Sequence, residues 1–177
     1  MEMGLDLFEL ARRRRSIRKF TGGPVSQEAL DDILKVALLA PSSWGEHPVH
    51  FIVIRDRATL RALAACKSMG AAPLPDAEAA IVVTIDRRHC ELWIEDGAVA
   101  SAYILLAAEQ AGVGACWIHM RDRRGQRLSS EEEIRALLDI PEGYAVLNVV
   151  ALGEKGERKR PYTESELHLQ NIHQERF

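Results

Sequence analysis

At 177 residues, 47% of them hydrophobic, the chain can bury one sizeable core and is too apolar to stay disordered. A formal net charge of −3 gives no overall attraction to nucleic acid or to an anionic membrane. Cys66, Cys90 and Cys116 are odd in number and lack CxxC spacing, which argues against a disulfide framework or a zinc ribbon and for a reducing compartment. The opening MEMGLDLFELARRRRS lacks the apolar core of a signal peptide, and Glu109 and Gln110 interrupt the longest apolar run, so the reading is cytoplasmic with no membrane span.

Leu5 to Arg13 carries apolar residues at 5, 7, 8, 10 and 11 and predicts a short amphipathic helix. It runs into RRRRSIRKF and the turn Thr21 to Pro24. Ser26 then reads as an N-cap, with Val25 placed to staple against Leu30. The helix that follows puts Leu30, Ile33, Leu34, Ala37 and Leu38 on one face and stops before Pro41. Pro41 to Pro48 is a loop and Val49 to Ile54 a strand. Asp56 caps a helix through Cys66, Lys67 to Pro75 is a loop, and the β-branched run Ala80 to Ile85 fits a central strand.

Glu95 to Met120 is the axis of the chain. After Glu95 and Asp96 there is no charge until Glu109, so the helix is apolar on all sides and is expected to be buried all round. The two carboxylates suit a helix N-terminus, Gly112 suits a left-handed C-cap, and Val113 to Ile118 reads as a strand entering the core. Ser130 to Glu133 has capping-box spacing and starts a helix to Leu138, and Tyr144 to Leu152 is a last strand. Four strands separated by helices give an α/β or α+β sandwich. The segment 153–177 has no core pattern of its own and is expected to lie on a partner subunit.

Three stretches could carry chemistry. Six of the eight residues from Arg12 to Lys19 are basic, which suits a phosphate because guanidinium donors pair with its oxygens. A solvated helix end explains them too, although a second basic group at 155–160 could converge on the same anion. No aromatic residues interleave with the arginines, so nucleic acid is a poor fit. Pro41 to Gly45 offers two hydroxyls and a flexible backbone, or is an ordinary loop. Trp117 to His119 ends a buried strand, a common site position, although a lone histidine is more often a satisfied structural residue. No GxSxG, HExxH, Walker loop or full GxGxxG occurs, and His89-Cys90 lack further ligands, so no metal site is read. Chemistry would then have to come from an organic cofactor.

Together these segments resemble the nitroreductase family of FMN-dependent oxidoreductases. Arg14-Arg15-Ser16-Ile17-Arg18-Lys19-Phe20 is similar to the family's RRSxRxF, and Ala40-Pro41-Ser42-Ser43 with Pro48 and Phe51 to its APSxxNxQPWxF segment. Glu95-Asp96 through Trp117-Ile118 resembles EDxxxAxxxxLLAAxxxGxGxCWI. Ala151-Leu152-Gly153, Arg158 to Pro161 and the tail to His173 resemble the C-terminal flavin-binding segment. The likeness covers nearly the whole chain in order.

The resemblance implies a single α+β domain over 1–177, with a mainly antiparallel sheet enclosed by helices. It also implies an intertwined homodimer with an exchanged C-terminal tail and tightly bound FMN at the interface. Arg14, Ser16 and Arg18, with Arg15 beside them, would meet the phosphate, ribityl chain and pyrimidine edge, and Arg158 and Arg160 the phosphate. Pro41, Ser42, Ser43 and Gly45 would reach the ring from the other subunit, and Trp117, Ile118 and His119 would border it. NADH or NADPH would give hydride to flavin N5, and a small acceptor such as a nitro compound or quinone would take it in ping-pong order. No side chain is assigned as strict acid or base; Arg18 is the candidate for electrostatic tuning. Gly45, His47 and Val49 replace the family's Asn, Gln and Trp, which leaves the acceptor open; the alternatives are a flavin-binding or storage module without turnover, or another flavin reaction on the same fold, such as dehalogenation or dehydrogenation.

Overall fold

The computed structural model describes residues 6–177. Its frame is a four-stranded sheet of β1 (Val49–Ile54), β2 (Ala79–Asp86), β3 (Gly114–His119) and β4 (Tyr144–Gly153). The spatial order is β1-β2-β4-β3 and every neighbouring pair is antiparallel. The expected α+β class is therefore the observed one. The inner strands β2 and β4 are buried on both faces, which explains why Val, Ile, Leu and Ala dominate them with no inside–outside alternation.

Helix α2 (Gln27–Leu38) and the long α4 (Trp93–Gln110) cover one face, packing Leu30, Ile33, Ile104 and Ala108 on Ile81, Val83, Ile85 and Leu147. Helices α3 (Arg57–Ala65) and α5 (Ser130–Leu137) cover the other, with Leu60, Leu63 and Ile134 against Val82, Val146 and Val149. Between Val83 and Thr84 the β2–β4 register slips, leaving Leu147 as an extra residue. This bulge reverses the inside–outside parity of β4, so Leu147 and Val150 face the same helices despite their odd spacing. It also frees the Leu147 carbonyl, which accepts the N–H groups of Met120 and Arg121, both at 3.0 Å, and so turns the chain at the end of β3.

Helix α4 lies very close to the sheet. A Cβ on Gly97 would stand 2.7 Å from Leu147 Cδ2 and 2.9 Å from Ile85 Cδ1. One turn later, Ser101 Oγ donates to the Gly97 carbonyl at 2.7 Å and accepts from buried Asn148 Nδ2 at 2.9 Å. The helix ends as its sequence predicts: Gly112 is left-handed (φ +73), Val113 N–H reaches Ala108 O and Gly112 N–H reaches Glu109 O.

Several expectations shift. Helix α1 (Leu7–Arg13) is capped by Asp6, and Leu5 lies outside the described residues. The capping box sits at Ser129 and Glu132, one residue before the expected Ser130 and Glu133. Either register satisfies the S-x-x-E spacing; the observed one buries Ser130 and Ile134. Leu38 points to solvent, because α2 turns its last residues off the sheet. Helix α4 is not buried all round within one chain. Val99 and Ala102 are exposed and Tyr103 and Leu106 half-buried, beside exposed Leu7, Phe8 and Leu39 from α1 and the end of α2.

The tail begins on its own chain. Tyr162 N–H donates to Arg12 O and Arg12 Nε returns to Tyr162 O at 2.8 Å. Beyond it Leu169, Ile172 and Phe177 are exposed. Among the described residues no helix is long and apolar enough to cross a membrane, and no three His, Cys, Asp or Glu side chains are grouped to hold a metal.

Candidate functional site

The basic stretch after α1 is extended and lies along the edge of β3. Ser16 bridges Ala115 in parallel, Ile17 N–H donates to Ala115 O at 2.9 Å, and Phe20 bridges Lys155. Alternation of side chains in extended backbone splits the arginines into two sets. Ile17, only 3% exposed, packs against Gly114, which marks its side as the inner one.

On that side and at the helix end, the cations have protein partners. Arg12 pairs with Glu9 at 3.1 Å, Arg13 with Glu109 at 4.0 Å, and Arg15 bonds Arg160 O while lying 4.2 Å over the Tyr162 ring. Arg14, Ser16 and Arg18 project to the opposite side. Among the described residues neither guanidinium meets a carboxylate, the Ser16 hydroxyl has no partner, and Arg18 makes only a 3.5 Å contact to Ser16 O. The main chain here is firmly held. Glu157 accepts the Arg18 N–H at 2.6 Å, which keeps its carboxyl below the usual range, and Lys159 Nζ donates to Ser16 O at 2.6 Å. The result is two free cations and a hydroxyl on a fixed strand edge, the donor set a phosphorylated polar ligand needs.

The C-terminal basic residues divide differently from the sequence expectation. Lys159, which motif matching passed over, is the one that reaches Ser16. Arg158 lines a cleft of about 600 Å³ with Arg13, Arg15, Glu109 and Lys155. Arg160 is not brought to the cluster: Glu166 binds both ends of its guanidinium, at 2.5 and 2.8 Å. The charge pattern of RKRP could not reveal this, because the partner lies six residues on in a turn.

Trp117 and His119 share one face of β3 with rings stacked 6.4 Å apart, whereas Ile118 points into the core and offers only its backbone. Burial, with Arg123 and Arg121 nearby, holds His119 below the ordinary histidine range, so its imidazole is neutral at neutral pH.

Pro41, Ser42, Ser43 and Gly45 form the fourth part. Ser42 Oγ accepts His47 N–H at 2.9 Å, and a cavity of about 220 Å³ opens behind the loop between Pro41, Ser42, Phe51 and Asp96. Asp96, 5% exposed, anchors it: Oδ1 accepts the Ser43 N–H and hydroxyl, each at 2.9 Å, and Oδ2 faces Cys90 Sγ at 3.2 Å. Burial and this carboxylate push the Cys90 thiol up to about 11, so it remains a protonated donor. Sequence reading gives Asp96 only a helix-end role. Within one chain this loop sits at the N-terminal end of α4, whereas the Arg14–Arg18 edge lies by its C-terminal end.

The sequence pattern of the Nitroreductase family matches residues 11–99 and 74–154, and the chain belongs to that family. An Archaeoglobus fulgidus protein, provisionally named an NADH dehydrogenase/NAD(P)H nitroreductase, is 38% identical over 169 residues, 93% of this chain and 94% of its own. The solved FMN-dependent nitroreductase of Clostridium difficile R20291 superposes with a TM-score of 0.94 at 38% identity, covering 97% of this chain and all of that one (100%). A Desulfovibrio desulfuricans relative solved in complex with FMN, and provisionally called a nitroreductase, is 26% identical, with a TM-score of 0.74 over 94% of this chain and 97% of its own.

Proposed function

We propose that this chain is an FMN-dependent NAD(P)H oxidoreductase that passes hydride to a small organic acceptor, such as a nitro compound or quinone, in ping-pong order. The observation that carries the reading is the free face of Arg14, Ser16 and Arg18 beside β3, while the neighbouring Arg12, Arg13 and Arg15 are all engaged. That donor set fits the phosphate and ribityl oxygens of FMN, and the named relatives support the same cofactor. FMN, when bound, supplies a two-electron relay between nicotinamide and acceptor.

The chain's own residues bind and tune. Arg14 and Ser16 would hold phosphate and ribityl oxygens, with Lys159, already bonded to Ser16 O, adding positive charge from the C-terminal side. Arg18 would place a permanent charge at the pyrimidine edge, favouring electron uptake there. Trp117 and neutral His119 would border the ring and keep water from it. Pro41, Ser42, Ser43 and Gly45 would complete the site from a second copy. The uncovered apolar strip of α4, α1 and α2, including a groove lined by Leu7, Leu10, Val36, Tyr103 and Leu106, is the surface on which that copy would sit. The end of the tail, with exposed Leu169, Ile172 and Phe177, would cross to it.

The test is the absorbance spectrum and sedimentation of the purified protein, followed by anaerobic mixing with NADH and with NADPH. A yellow dimer that bleaches supports the reading. A bound flavin that neither nicotinamide bleaches would reduce the chain to a flavin carrier, and a colourless monomer indifferent to added FMN would end the proposal.

A further inference from the structure

We propose that Trp44 is a specificity-determining residue, an aromatic wall that the Pro41–Ser43 loop presents to the ring site and that selects planar aromatic substrates by stacking. The inference rests on the reading above, in which FMN lies between two copies.

Trp44 is 97% exposed, whereas Trp93 and Trp117 pack against the core. Its backbone is left-handed (φ 56, ψ 7), a conformation that bulky side chains rarely adopt. Gly45 (φ 71) and His47 (φ 49) are left-handed too, giving three such positions within four residues. Strain of this kind persists only where surrounding bonds over-determine the backbone, and it gathers at binding sites. Those bonds are present here. Asp96 pins Ser43 from two directions, Gly45 N–H donates to Ser42 O and Glu46 N–H to Ser43 O, both at 3.1 Å, and Ser42 Oγ holds His47 N–H. The loop therefore fixes an indole in open solvent at the tip of the segment assigned to the partner's ring site.

A side chain with two torsions on a held backbone presents a flat apolar face at small entropy cost. Such a face attracts flat π systems and gains little from a puckered ring of the same size and charge. Gly45, which takes the place of the family's Asn beside it, leaves no side chain there to compete for that space.

The experiment uses two carboxylates matched in size and charge, planar benzoate and puckered cyclohexanecarboxylate. Their dissociation constants are read from the flavin absorbance change in wild-type holoprotein, Trp44→Ala and Trp44→Phe. FMN content and sedimentation are recorded for each. Wild type must first be a yellow dimer; failure there overturns the underlying reading and the proposal with it. Given that, Trp44→Ala should weaken benzoate about tenfold and cyclohexanecarboxylate less than about threefold. Trp44→Phe should recover most of the benzoate affinity, and KM for an aromatic acceptor should follow the benzoate series. Equal weakening of both carboxylates, or none, overturns the proposal alone. Loss of FMN or of the dimer in Trp44→Ala also overturns it, by making Trp44 an assembly residue.

Discussion

Asp96 and Ser43 are joined twice: one carboxylate oxygen in the first turns of α4 accepts both the main-chain N–H and the hydroxyl of a loop residue 53 positions earlier, each at 2.9 Å. The other oxygen faces a protonated cysteine, so the buried charge has donors on both sides. Asp96→Ala strands these donors, and stability should fall by about 2–3 kcal/mol. For a domain of this size that is a drop in melting temperature of roughly 5–10 °C. Asp96→Asn keeps an acceptor toward Ser43 and should cost about 1 kcal/mol. Thermal unfolding of both variants checks this, and equal losses would show that the charge, not the acceptor geometry, matters.

Gly97, the next residue, sets how closely α4 meets the sheet. Alanine there would gain about 0.5–1 kcal/mol of helix propensity. Its methyl, however, would meet Leu147 and Ile85, both fully buried, at 2.7 and 2.9 Å, so both would have to shift. Overpacking of this kind costs about 1–3 kcal/mol, so Gly97→Ala should be net destabilising. A denaturant midpoint at or above wild type would mean that α4 can lift off the sheet without loss.

Burial pushes the thiols of Cys66 and Cys90 up to about 11, with Asp96 as the second cause for Cys90. The folded value lies above the unfolded one, so the folded chain holds these protons more tightly. Their contribution to stability is complete below the unfolded value of about 9 and is lost as pH rises through about 11. Unfolding followed from neutral to strongly alkaline pH should decline more steeply in wild type than in the Cys66→Ala, Cys90→Ala double variant. At mildly alkaline pH all three buried cysteines should resist a thiol reagent until denaturant is added.

Much of this fold was legible in the residues because the signals are local. The Ser26 and Asp56 caps, the left-handed Gly112 and the β-branched run of β2 each follow from a few neighbouring side chains. What was hidden depends on distant partners. The Leu147 bulge has no sequence mark, since Ala145 to Leu152 is apolar but for Asn148 and its pattern does not announce an extra residue. The apolar surround of α4 announces burial but not what buries it, and within one chain its outer strip stays open. At the site, the alternation around Ile17 is written in RRRRSIRKF. The engagement of Arg12 and Arg15 is visible only once the tail is seen to fold back on α1, that of Arg13 only once α4 brings Glu109 beside it, and that of Arg160 only once the tail turns Glu166 back to it.

That division among the arginines gives the sharpest prediction. A guanidinium already bound to protein cannot reach a phosphate without breaking its own pair, whereas a free one loses nothing but water. Arg14→Ala and Arg18→Ala should each weaken FMN by about 10–100-fold, the worth of a charge-assisted hydrogen bond or two. Since bound cofactor stabilises the folded state by mass action, both should melt earlier only when FMN is in excess over its wild-type dissociation constant, and like wild type when it has been removed. Arg15→Ala should behave in the opposite way, lowering the melting temperature of apo protein through the loss of its Arg160 and Tyr162 contacts while changing FMN affinity by less than about threefold. Calorimetric FMN titration paired with apo and holo melting curves distinguishes the two sets. Should Arg15→Ala abolish FMN binding while Arg14→Ala leaves it intact, the ligand would lie in the cleft lined by Arg13, Arg15 and Arg158, on the other side of the strand.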